Sequence, residues 1–262
     1  MGASHWVEPG LVGELHFTGD IAAANIALDS LRPVADVLVL DEAARAPRLL
    51  VSDMDSTMIA NECIDELADY AGVKSQVAEI TERAMQGELD FEAALRERVA
   101  LLKGLSEHVI ADCLVQRIRP MPGARMLVRT LSQRGTDCVL VSGGFHAFAD
   151  VIAAELGFHA VFANRLVIEH CHLTGELEGG IVDAARKAAI LMEQAVGHGL
   201  EAAQVIALGD GANDIPMLKA AGTGIAYHAK PAAIAAADAH IAHGDWTALL
   251  HALGIPRADW SN

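Results

Sequence analysis

The sequence predicts an α/β fold, a doubly wound parallel sheet with a helical cap inserted after the first core strand and a small N-terminal βαβ-like appendage. Three observations predict it. From Arg48 onward, short β-rich runs alternate with helical ones, the pattern of a parallel sheet covered on both faces. Three of the β-rich runs end in polar clusters, DMDST, SGG and GDGAND, and such sheets place ligands at the carboxyl ends of their strands. Residues 61–119 interrupt the alternation with charge-laced helical sequence, sited to lie over that same end of the sheet.

In chain order, residues 1–47 read as strand (11–17), helix (20–31) and strand (36–40), punctuated by Pro47. That is too little chain to bury a core alone, so it packs on the main domain or on a second chain, in a role the sequence does not name. The opening MGASHW reads as a frayed terminus or as residues carried over from cloning. Core strands are expected at 49–52, 138–142, 160–163, 205–208 and 224–226, with helices at 122–133, 145–156, 184–196 and 214–220. The alternating stretch NRLVIEHCHLTGEL, 164–177, reads as a hairpin that extends the sheet edge, and 232–262 as a closing strand and helix. The expected organisation is thus an appendage (1–47), a Rossmann-like core (48–60 and 120–262) and a helical cap (61–119).

Bulk properties exclude several classes of function. The chain has 262 residues, 52% of them hydrophobic, enough for a sizeable core. Its formal charge of −16, from 19 basic and 35 acidic residues, repels a phosphate backbone, and nucleic acid is not an expected partner. A phosphorylated substrate must then be small and met by a local cation: a metal ion, one lysine or a helix N-terminus. Cys63, Cys113, Cys138 and Cys171 form no CxxC pair, which favours reduced cytoplasmic thiols over a zinc or disulfide framework. No signal peptide opens the chain and no apolar run is long enough to span a bilayer, so a membrane is not expected either. A homodimer is left open.

Asp53 and Asp55 close the apolar run LLVS, and acids at a buried strand end are costly to desolvate unless something binds them. A carboxylate can attack phosphorus when a divalent cation balances its charge and a nearby acid serves the leaving group. Asp53 fits the nucleophile and Asp55 the acid, although a helix cap by Ser56 or Thr57 explains the pair alone at least as well. GDGAND puts Asp210 at a strand end and Asp214 near a helix start. Hard oxygen ligands there suit Mg²⁺, held by Asp210 with Asp53, while Asn213 and Asp214 support the loop. A Gly/Asn turn followed by a helix cap is the plain alternative. Ser142 and Gly143 offer a hydroxyl and backbone N–H groups to a phosphate at what reads as a helix N-terminus. Lys187 would neutralise charge between phosphate and aspartates; without the other clusters it reads as a solvated helix lysine. His170 and His172 lack a third ligand and read as surface residues of a strand.

The order DxDST, cap-sized insert, SGG, Lys, GDGAND resembles the four motifs of the haloacid dehalogenase-like phosphatases. Within that superfamily, DMDSTMIANECIDELADYAGV, TERAMQGELDFEAALRERVALLKGL, VSGGF and GDGANDIPMLKAAGTGIAYHAKP look like the phosphoserine phosphatase branch along most of residues 49–231. The resemblance implies Mg²⁺-dependent hydrolysis of O-phospho-L-serine to L-serine and phosphate, the last step of phosphorylated serine biosynthesis. It implies that Asp53 is phosphorylated and that Asp55 protonates the serine oxygen and then activates water. Mg²⁺ would sit on Asp53, Asp210 and the Asp55 backbone carbonyl, with Asp214 behind them. Ser142, Gly143 and Lys187 would hold the phosphoryl group, with Asn213 beside the substrate. In the cap, Glu62 would meet the substrate ammonium, Arg98 its carboxylate, and Phe91 would cover the site. Two alternatives stay open: another small phosphate ester or a hydroxyl acceptor in place of water, and a receiver-like module that is phosphorylated on aspartate for signalling.

Overall fold

The computed structural model describes residues 4–262. Strands β1 (Ser4–Glu8) and β2 (Val12–Leu15) form an antiparallel ribbon, followed by α1 (Ile21–Leu28). Ser4 to Trp6, expected to fray, are therefore paired, and Met1 to Ala3 lie outside the described residues. The strand predicted over 36–40 does not form. Val39 is buried and Leu38 and Leu40 pack against the core, but the Asp36 carboxylate accepts N–H groups of the 242–244 loop, so this run docks by side chains and joins no sheet. The appendage is ββα, not βαβ.

β3 (Leu49–Ser52) is the middle of the main sheet and is buried throughout. Its alternation splits the core: Leu50 faces one hydrophobic cluster, Leu49 and Val51 the other. An insert of four helices follows: α2 (Cys63–Tyr70), α3 (Lys74–Met85), α4 (Phe91–Ala100) and α5 (His108–Gln116). The two chain crossings at the base of this insert are tied together, Ala60 N–H to Arg119 O at 2.9 Å and Met121 N–H to Met58 O at 2.8 Å. Its apolar residues Leu67, Val77, Leu95 and Val99 join the cluster on the Leu50 face.

The chain then runs through α6 (Ala124–Gln133), β4 (Asp137–Phe145), α7 (His146–Leu156), β5 (Ala160–Glu169) and β6 (His172–Glu178). It closes with α8 (Ala184–Gly197), β7 (Val205–Gly209), α9 (Ile215–Ala220), β8 (Thr223–Tyr227), α10 (Pro231–Ala236), β9 (Ala239–Ile241) and α11 (Thr247–Ala252). The seven-stranded sheet has the order β6-β5-β4-β3-β7-β8-β9 and is parallel except for the edge strand β6. Residues of α6, α7 and α11 pack on the Leu50 face, those of α8, α9 and α10 on the other, the doubly wound arrangement that the alternation predicts.

Two strands outrun their predicted ends. β5 continues through residue 169 into the hairpin, so strand and hairpin are one element. β4 continues through SGG to Phe145, paired past an irregularity with Asn164. Ser142 and Gly143 therefore sit on an extended strand end, and the helix begins only at His146.

Candidate active site

Register brings the first two acids together. Ser52 pairs with Leu208, and Asp53 N–H donates to Leu208 O at 3.0 Å, so β3 and β7 end side by side and their next residues lead into Asp53 and Asp210. From the helix after the sheet edge, Lys187 reaches in with its side chain 1% exposed. Its Nζ donates to Asp53 Oδ1 at 2.6 Å and to Asp214 Oδ1 at 2.7 Å. The second oxygen of Asp214 accepts the N–H groups of Asp210 and Gly211, both at 3.1 Å, which fixes the GDGAND loop. Gly209 is required there: a Cβ would lie 2.5 Å from that of Asp214. Asn213 folds its side-chain oxygen back against Gly211.

Asp55 and Asp210 lie close enough to this Lys187–Asp53–Asp214 cluster to feel its lysine, and the acidities of Asp53, Asp55 and Asp210 are shifted. Burial and then Asp214 push Asp53 well above the usual carboxylate range, against the pull of Lys187. Burial, Asp214 and Glu62 raise Asp210 to about 6. Asp55 is raised to about 7 by burial and by Glu62, with Cys63 and Lys187 opposing. Burial pulls the pKa of Lys187 down, but Asp53 and Asp214 outweigh it, raise the pKa and hold the ammonium charged. Carboxylate oxygens of Asp53, Asp210 and Asp214 lie within 4.8 Å of one another. A cluster of hard oxygen donors with surplus negative charge fits a divalent cation such as Mg²⁺.

The other walls are built by the strand ends and the helical insert. Asp55 Oδ2 packs against Gly144, and Asp55 Oδ1 is buried with no hydrogen-bond partner. Next to it Ser56 takes a left-handed conformation, φ 57°, an uncommon state for a residue with a side chain, and its hydroxyl donates to Glu62 Oε1 at 2.8 Å. Ser142 Oγ accepts Gly144 N–H at 2.8 Å. Phe91, at the start of α4, lies over Gly143: a Cβ at Gly143 would come within 3.1 Å of its ring. Arg98, one face-repeat along α4, is half-buried, and its Nε donates to Ala94 O at 3.2 Å. Burial depresses its pKa while Asp65 and Glu62 raise it, so Glu62 and Arg98 share one electrostatic neighbourhood.

Reading the sequence gives four contributors no part in the site. Asn164 is buried and bridges Gly143 O and Val182 N–H, both at 2.8 Å, pinning the SGG end to the segment that leads to Lys187. Thr57 Oγ1 approaches Asp210 Oδ1 at 3.4 Å while Trp246 Nε1 donates to Thr57 O at 2.9 Å. Cys63, buried next to Asp55, pulls the pKa of Asp55 down against the effect of burial. Of these, Thr57 and Cys63 lie in the DMDSTMIANEC stretch visible in sequence, where Thr57 reads only as a helix cap; Asn164 and Trp246 meet the site across long separations. Elsewhere His5, Glu14 and His16 cluster on the β1–β2 ribbon, where Glu14 Oε1 already accepts from Arg45 at 2.5 Å. His170 and His172 are exposed, at the turn between β5 and β6.

Acids at adjacent parallel strand ends, one of them joined through a buried lysine to a third acid at a helix start, define an α/β domain with an anionic site at the carboxyl edge of its sheet. The chain belongs to the haloacid dehalogenase-like hydrolase family, whose profile matches residues 50–219. It is 45% identical over 255 residues to the phosphoserine phosphatase SerB2 of Mycobacterium tuberculosis, covering 97% of this chain but 60% of that protein's length. With the phosphoserine phosphatase of Lactococcus lactis it shares 50% identity over 196 residues, 75% of this chain and 90% of the relative. A solved substrate-bound phosphoserine phosphatase complex superposes with a TM-score of 0.73 at 40% identity, covering 79% of this chain and 98% of that one.

Proposed function

We propose that the chain hydrolyses O-phospho-L-serine to L-serine and phosphate through a phosphorylated Asp53, with Mg²⁺ held by Asp53, Asp210 and the Asp55 carbonyl. The observation that carries this reading is Lys187, buried between Asp53 and Asp214 beside Asp210, because a lysine so placed neutralises an incoming phosphoryl group without leaving a lone buried cation when the site is empty. Asp53 attacks phosphorus, and the bond from phosphorus to the serine oxygen breaks. Asp55, raised to about 7 and so able to carry a proton near neutrality, gives that proton to the departing oxygen. In the second half, Asp55 takes a proton from water as the water oxygen bonds to phosphorus, and the bond to Asp53 breaks. Bound Mg²⁺ supplies charge neutralisation of the phosphoryl oxygens. Ser142, Gly143 and Lys187 hold the phosphoryl oxygens beside Asn213, and Asp214 fixes Lys187.

The insert of residues 61–119 supplies specificity. Glu62 receives the substrate ammonium, Arg98 its carboxylate, and Phe91 closes the apolar wall over Gly143. Cytoplasmic placement agrees with four free cysteines, three of them buried, and among the described residues no helix is long and apolar enough to cross a membrane. The direct test is phosphate release from O-phospho-L-serine with Mg²⁺ and with EDTA. Release that needs the divalent ion is expected. Undiminished release in EDTA overturns the metal assignment, and no release in either condition overturns the substrate.

A further inference from the structure

The appendage ends in a clamp on the loop that follows β9. The Asp36 carboxylate accepts three successive backbone N–H groups, Ala242 at 2.6 Å, His243 at 3.0 Å and Gly244 at 2.7 Å. His243 Nε2 lies 2.9 Å from Arg32 O, closing the loop from the other side. Arg32 is itself fixed, its guanidinium donating to Val37 O at 3.0 Å and Asn25 Oδ1 at 2.6 Å. Two residues beyond Gly244 comes Trp246, fully buried and stacked on Tyr227 with ring centroids 4.1 Å apart. Its indole N–H is the donor to Thr57 O, and the hydroxyl of that same Thr57 approaches Asp210.

We infer that Asp36 and Trp246 are positioning residues: the appendage fixes the 242–246 loop, the loop seats Trp246, and Trp246 holds the turn after Asp55 so that Thr57 and Asp210 keep the spacing a divalent cation needs. The physical basis is the directionality of the bonds. A carboxylate that accepts three consecutive N–H groups leaves a loop little freedom, and a buried carbonyl with one designated donor reorients when that donor is lost. This rests on reading Asp53 and Asp210 as metal ligands, and it assigns residues 1–47 a part in holding that site.

The test uses Asp36→Ala, Trp246→Phe and the double variant, each as the full chain. Mn²⁺ binding to the metal-free protein is counted by electron paramagnetic resonance, and hydrolysis of phosphoserine and of p-nitrophenyl phosphate is followed against metal concentration. Thermal melting is recorded in parallel. Each single variant is expected to weaken Mn²⁺ binding by about fivefold, and the double variant by no more than the weaker-binding single, because both cut one route. Unchanged Mn²⁺ affinity in both single variants, with a lowered melting temperature, makes the contacts structural only and overturns the inference. Losses that multiply in the double variant also overturn it, since the two residues then act independently. If the wild type binds Mn²⁺ and turns over the aryl phosphate but not phosphoserine, the substrate reading falls while the coupling is still measured by the metal titration.

Discussion

Lys187 is where sequence and structure differ most in weight. By itself it reads as a solvated helix lysine; in the fold its ammonium is buried and hydrogen-bonded to Asp53 and Asp214. Replacing it by Met keeps volume and removes the charge, leaving two acids facing each other. In EDTA at pH 7 that is expected to destabilise the fold by about 3 kcal/mol, since breaking a buried pair from one side strands the other partner. The loss should shrink at pH 5, where a proton replaces the lysine. Urea unfolding at the two pH values measures it, and equal losses at both would contradict the pairing. Asp53→Asn is the complementary change. It keeps the shape, removes the nucleophile, and should abolish phosphate release while melting near the wild-type temperature or above it, because one buried negative charge is gone. The acids were legible because each follows an apolar strand. Asn164 and Trp246 were not, since a buried amide and an indole become meaningful only when chain segments far apart in sequence meet.

Among the elements, α4 links the insert to the chemistry. Phe91 is its first residue and Arg98 lies seven further on, two turns, so both project from one face. The helix starts at Asp90, whose carboxylate accepts Ala93 N–H at 2.7 Å. Asp90→Ala removes that cap, worth about 1 kcal/mol, and frays the turn that carries Phe91. The expected result is a higher KM for phosphoserine with kcat changed less; a kcat loss at constant KM would place Phe91 away from the bound ground state. Arg98→Ala separates the carboxylate role from the rest: KM should rise far more for phosphoserine than for a small aryl phosphate, which has no carboxylate to clamp. Equal losses on both substrates would remove Arg98 from that role. The elements also mark the boundary of legibility. Helix and strand identities in the core follow from periodicity, whereas strand ends do not: β4 runs on through SGG because Asn164 of β5 continues the pairing, a tertiary contact no local pattern encodes. The run 36–40 looks like a strand by composition and fails to be one because Asp36 takes another loop's N–H groups instead.

At the scale of the molecule, the parallel sheet collects acids that are costly apart and useful together, and pH exposes that cost. In the unfolded chain these aspartates titrate near 3.8; in the fold Asp53 is raised, Asp210 stands at about 6 and Asp55 at about 7. Above the unfolded value the folded chain holds more protons than the unfolded one, so the stability of the metal-free protein must fall as pH rises from about pH 4 through the range in which Asp210 and then Asp55 ionise. A divalent cation competes with those same protons for the same oxygens. Stabilisation by Mg²⁺ should therefore be small at pH 5 and larger at pH 8, where Asp210 and Asp55 have lost their protons. Melting temperatures measured at both pH values, with EDTA and with saturating Mg²⁺, decide the matter. A metal-induced rise of the same size at pH 5 and pH 8 would mean that the ion binds groups other than this cluster. In Asp210→Asn the difference between the two pH values should largely disappear, because that substitution removes a proposed ligand and one of the charges the ion offsets.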